Sequence, residues 1–185
     1  MTKHSSTTVG LLAVIVTAVF ACAVMASQDK YSEKVPGGLA FSEFRGYEAW
    51  QTISVSRNGN VMAAILGNSV MIDAYRAGTP ANGKPFPDGA KMAKIHWTGK
   101  QNTFFPKATV PGALLNVDFM VKDSSRFADS GGWGYAVFDY DASTGSFTPG
   151  GPGSKPPQGN DARCGFACHS VAKARDYVFT DYSKR

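Results

Sequence analysis

Near the C-terminal end of this 185-residue chain, two thiols and an imidazole stand together in the run Cys164-Gly165-Phe166-Ala167-Cys168-His169. Thiols can add to vinyl groups, and an imidazole directly after the second thiol can ligate an iron, which is the combination that covalent c-type haem attachment requires. The usual arrangement leaves two residues between the cysteines, whereas three intervene here. On a helix, positions four apart point to the same side, so both sulfurs can still face one haem edge. Gly165, which tolerates backbone angles closed to other residues, is placed to absorb the extra residue. If it does not, Cys168 and His169 are left to hold the group alone. A second chemistry fits the same residues: a local disulfide between Cys164 and Cys168, with His169 an ordinary surface residue of a haem-free domain.

An iron held by His169 from below would keep its upper position open for small ligands unless a second protein ligand closes it, and a closed iron favours plain electron transfer. Met62, Met71, Met92, Met120 and His96 are the residues whose chemistry could close it. Methionine is also a common gap-filler in cores, so type alone does not choose among them.

Several elements must position these groups. Phe41, Phe44, Tyr47 and Trp50 recur every three residues, which predicts a short helix over 41–50. Asn58-Gly59 between two β-prone runs predicts a hairpin. Asn68 before Ser69–Arg76, with Gly78 just after, predicts a capped helix with a glycine stop. Lys91–Trp97 alternates as a strand, with Ala93, Ile95 and Trp97 on one face and Met92, Lys94 and His96 on the other. A lysine opposite an apolar face is ordinarily a solvated one, so Lys94 gains no role from pattern alone. Leu114–Val121 reads as a second strand, Lys122–Ala128 as a short polar helix, Trp133–Tyr140 as an aromatic strand, and Thr148–Gly159 as a Gly/Pro-rich loop leading into the cysteine motif. Short strands with brief helices predict an α+β fold, mainly an antiparallel sheet.

Residues 1–26 carry Lys3 and His4, an uncharged apolar stretch and then Val24-Met25-Ala26, the order of a secretory signal peptide cleaved after Ala26. The expected mature domain is 27–185, exported to the periplasm, with an uncleaved membrane anchor as the alternative. Cys22 would be removed with the signal. The formal charge of +5 is spread along the chain without a dense Lys/Arg run, which argues against nucleic acid and is compatible with an acidic redox partner.

Four segments in order, Pro87–Lys94, Val121–Ala128, Trp133–Tyr140 and Cys168-His169 followed by Asp176–Thr180, resemble the cytochrome P-460 family of bacterial periplasmic c-haem proteins. The resemblance spans roughly 50–182. It implies a mostly antiparallel β-fold, usually dimeric, with haem c held covalently by Cys164 and Cys168, His169 as the proximal iron ligand, and a periplasmic electron-transfer partner. In the name-giving members a lysine is cross-linked to the porphyrin and hydroxylamine is oxidised; the matching position is Lys94, and Lys91 is the weaker candidate because it points to the other face. Relatives of the c-prime-beta type lack the cross-link and bind nitric oxide. Asp139, the acid in the aromatic strand, is the candidate base for the enzyme. Three classes follow: an oxidoreductase acting on hydroxylamine or a related small nitrogen compound, a non-enzymatic haem protein that binds nitric oxide or carries electrons, and a haem-free domain.

Overall fold

The computed structural model describes residues 29–35, 38–150 and 163–184, with 163 and 164 described at the backbone only. The expected signal peptide, the run 151–159 and the thiol of Cys164 lie outside the described residues. Six strands, β1 (Gln51–Asn58), β2 (Val61–Gly67), β3 (Lys91–Gln101), β4 (Thr109–Lys122), β5 (Trp133–Asp141) and β6 (Ser146–Pro149), form one sheet in sequence order. Every neighbouring pair is antiparallel, as expected from the sequence. Helix α1 (Ser69–Arg76) follows β2, and helix α2 (Arg163–His169) carries the cysteine motif.

Local chemistry explains most of these elements. Asn58 and Val61 pair across the tight β1–β2 turn, where Gly59 takes the positive φ of 56° that the turn demands. The Asn68 carboxamide accepts from the Met71 N–H at 3.0 Å and caps α1, and it also accepts from the Lys91 N–H at 3.0 Å, tying helix to β3. Three expectations change. The period of three over 41–50 forms two 3-10 turns, Phe41–Phe44 and Tyr47–Ala49, rather than an α-helix. Three residues per turn is the 3-10 repeat, and Gly46 at φ 79° separates the two turns. No helix forms over Lys122–Ala128: Lys122 ends β4, and the Asp123 carboxylate accepts from the Arg126 N–H at 3.0 Å, closing a side-chain turn. Thr148 and Pro149 belong to β6, not to a loop.

The alternation of the strands divides the sheet into two faces. On one, Ala93, Val117, Phe119, Ala136 and Phe138 pack under the N-terminal segment, against Val35, Leu39, Phe41, Phe44 and Tyr47. On the other, Ile65, Met92, Met120 and Tyr135 pack with α1 residues Met71, Ile72 and Tyr75 and with Val178 of the C-terminal segment. The second face is where α2 docks.

Candidate functional site

Register builds the second face in rows. Met92 of β3 stands opposite Met120 of β4, which stands opposite Tyr135 of β5. In the next row Ile65, Lys94, Asp118 and Val137 lie side by side across β2 to β5, and beyond them come Ala63, His96, Asn116 and Asp139. The first row is buried under α1 and the C-terminal segment. The middle row opens into a cavity of about 310 Å³, which also has Cys168, His169, Val178, Phe179 and Thr180 in its wall.

Helix α2 reaches this cavity because Gly165 lets it lie against β5: a Cβ there would sit 2.6 Å from the Cβ of Tyr135. The glycine is thus needed for close approach. It lies within the helix and is absent from the positive-φ residues, so it does not absorb the extra residue through an unusual backbone angle. The spacing is accommodated instead by a continuous helix, which places the backbones of positions 164 and 168 one turn apart.

His169 is half-buried between the rings of Tyr135 and Phe179, with centroids 5.0 and 4.7 Å away. Its Nδ1 lies 2.7 Å from the Tyr177 carbonyl oxygen. The carbonyl can only accept, so Nδ1 carries the proton and Nε2 is left with its lone pair. Burial holds the imidazole below the ordinary histidine range, the Tyr177 bond opposes that, and the Lys94 ammonium lowers it further. A neutral imidazole with a free Nε2 is what a metal centre requires of a histidine ligand. Cys168, directly before it, is an exposed free thiol in the same cavity. Tyr135, also in that wall, is 5% exposed and its hydroxyl has no hydrogen-bond partner among the described residues. A mainly apolar cavity holding a thiol, an imidazole nitrogen and an amine fits a covalently held haem.

Lys94 is in the cavity wall and not on a solvated face as pattern alone would have it. Among the described residues its amine makes no hydrogen bond or salt bridge. Lys91 points the other way, as expected, and its amine donates to the Glu43 carbonyl at 2.6 Å. Asp139 is on the same face as Lys94 but in the outer row, exposed, and outside the cavity wall. Asp118 lies inside instead. Its carboxyl is pushed above the usual carboxylate range, chiefly by burial, with Asp139 adding to the rise and His96 and Lys94 opposing it. His96 Nδ1 lies 2.6 Å from the Asn116 side-chain oxygen and 3.7 Å from the Asp118 carboxylate. Met92 and Met120 line the cavity, Met71 is fully buried on the inner side of α1, and Met62 lines a separate groove with Trp97.

The sequence model of the family described as Cytochrome P460 matches residues 44–180, nearly all of the sheet and the site. No curated protein matches the chain.

Proposed function

The chain belongs to the cytochrome P460 family and is a haem protein; from that premise we propose that it is an exported c-type oxidoreductase that oxidises hydroxylamine or a related small nitrogen compound. The observation that carries the reading is the convergence of Lys94, Asp118, Cys168 and His169 on one cavity from three separate stretches of chain. Bound there, the haem would supply an iron that takes a small ligand and accepts its electrons.

The chain's own residues would do the rest. His169 offers Nε2 to the iron while the Tyr177 carbonyl fixes its tautomer and ring plane. Cys168, with Cys164 one helical turn before it, provides the thioether sulfurs. Lys94 is the residue proposed to be joined to the porphyrin through its amine. Asp118 takes the role that sequence reasoning gave to Asp139: a carboxyl in the cavity, with a raised affinity for protons, can take one from a protonated nitrogen ligand. Apolar neighbours such as Ile65, Val137 and Phe179 keep bulk water from the ligand. The same apolar wall favours the second reading, a non-enzymatic nitric oxide binder or electron carrier without the lysine bond.

Lys94→Ala separates the two. In the enzyme, the variant loses a red-shifted ferrous Soret band, acquires an ordinary c-type one and no longer oxidises hydroxylamine, while haem stays attached after denaturation. Identical spectra for wild type and variant would leave the ligand-binding reading. Two further proposals accompany the function. The chain is cleaved near Ser27 on export and works with a periplasmic electron-transfer partner. It also pairs as a homodimer, a reading supported by exposed apolar residues Val55, Phe104 and Phe105.

A further inference from the structure

Asp176 and Tyr177 are consecutive and both left-handed, with φ of 49° and 63°. Residues with a Cβ avoid this region, and a tyrosine has none of the local hydrogen bonding that helps aspartate tolerate it. Such a pair persists only where its surroundings over-determine it. Here the determinants can be named. The Asp176 carboxylate receives the Lys122 ammonium at 2.8 and 3.0 Å and the Phe86 N–H at 2.8 Å. The same ammonium donates to the Gly131 carbonyl at 2.9 Å and lies 5.1 Å from the centre of the Trp133 ring. The Lys122 side chain is only 5% exposed and that of Asp176 12%. The Tyr177 ring covers Gly131 so closely that a Cβ there would lie 2.2 Å from it.

The output of this buckle is the Tyr177 carbonyl, which meets His169 Nδ1 at 2.7 Å. We propose that Lys122 and Asp176 are a positioning pair for the iron ligand: their ion pair holds the left-handed turn that delivers the Tyr177 carbonyl to His169 and so sets how strongly His169 donates to the iron. The inference rests on the reading of His169 as the haem ligand. A buried ion pair adds little net stability because desolvation offsets attraction, but it fixes geometry. A hydrogen bond at Nδ1 raises the basicity of Nε2, and a more basic axial ligand lowers the reduction potential.

The test compares ferrous iron–histidine stretching bands and haem reduction potentials in the haem-loaded full chain. Lys122→Met should move the stretching band to lower frequency and raise the potential. Asp176→Asn should keep most of the wild-type band, because asparagine accepts left-handed angles and its amide oxygen can still accept from Lys122 and Phe86. Should Lys122→Met not fold, Lys122→Met/Asp176→Asn leaves no buried unpaired charge and should show the same shifts. A folded Lys122→Met or double variant with wild-type band and potential overturns the pair's role. His169→Ala with an unchanged iron spectrum overturns the ligand assignment itself, and the two failures are thereby told apart.

Discussion

The two faces of β3 differ in how completely their groups are satisfied. On the face toward the N-terminal segment, Ala93 is fully buried, Phe44 stacks on Phe119 of β4 at 4.1 Å, and Phe41 lies 4.8 to 5.2 Å from Phe119, Phe138 and Phe147. Even its lysine, Lys91, reaches a carbonyl. On the opposite face Lys94 is unpartnered among the described residues, the Tyr135 hydroxyl is buried without a bond, and Asp118 is held above its ordinary range. Native proteins satisfy buried polar groups almost everywhere, and the two buried side-chain atoms without a partner among the described residues, Trp133 Nε1 and the Tyr135 hydroxyl, both stand on this second face, Tyr135 in the cavity wall. Both faces carry a buried core, and the second also opens into the cavity.

The contrast breaks most visibly at Phe41. Truncation to Phe41→Ala removes a ring packed against five aromatic neighbours and should cost about 3–5 kcal/mol of stability. Denaturant unfolding measures it. The folded fraction should keep the wild-type haem spectrum, because nothing on the cavity face has changed. A smaller effect is expected at Gly165→Ala, where the new methyl meets Tyr135 and must push α2 from β5, at a cost of about 1–3 kcal/mol. Unlike Phe41→Ala, this variant should also lose covalent haem during maturation, which haem staining of denatured protein reads directly.

These variants also show where sequence reasoning reached and where it stopped. Cys168-His169 and the even-numbered face of β3 were legible because adjacency and period-two alternation are local facts. The bounds of α1 were legible because Asn68 and Gly78 punctuate it. Asp118 was not, since its position in the cavity depends on standing opposite Lys94 in β4, and a register between strands is written in neither strand alone. The tight approach at Gly165 was hidden for the same reason: its partner, Tyr135, is on another element. Over 122–128 the polar run suggested a helix, and the Asp123 side chain, by taking the Arg126 N–H, made a turn of it.

Lys91→Met and Lys94→Met form a matched pair on one strand. Each removes one amine and keeps a chain of similar length. Lys91→Met gives up a hydrogen bond to the Glu43 carbonyl and should lose about 0.5–1.5 kcal/mol with no spectral change. Lys94→Met should change stability by less than about 0.5 kcal/mol, because among the described residues its amine makes no hydrogen bond or salt bridge and attracts Asp118 only through space, and it should change the ferrous spectrum. Equal spectra for both variants would mean the two faces do not differ in the way proposed.

A small effect that depends on pH is expected at Asp118, and its sign is set by the direction of its shift. Folding raises the affinity of this carboxyl for its proton, so relative to a neutral residue it weakens the fold once pH rises above the unfolded carboxylate value, about 3.9. Below that value the group is protonated in both states and the difference vanishes. Asp118→Asn should therefore match wild type in acid, become the more stable chain as pH rises from the unfolded value toward the folded one, and keep that gain unchanged above it. Because the side chain is 37% exposed, water screens the charge, and the gain should stay below about 1 kcal/mol. Unfolding curves of wild type and Asp118→Asn across the acid range measure it. If Asp118→Asn is instead destabilised at neutral pH, attraction to His96 and Lys94 outweighs burial, and Asp118 is then a poor proton acceptor for a ligand in the cavity.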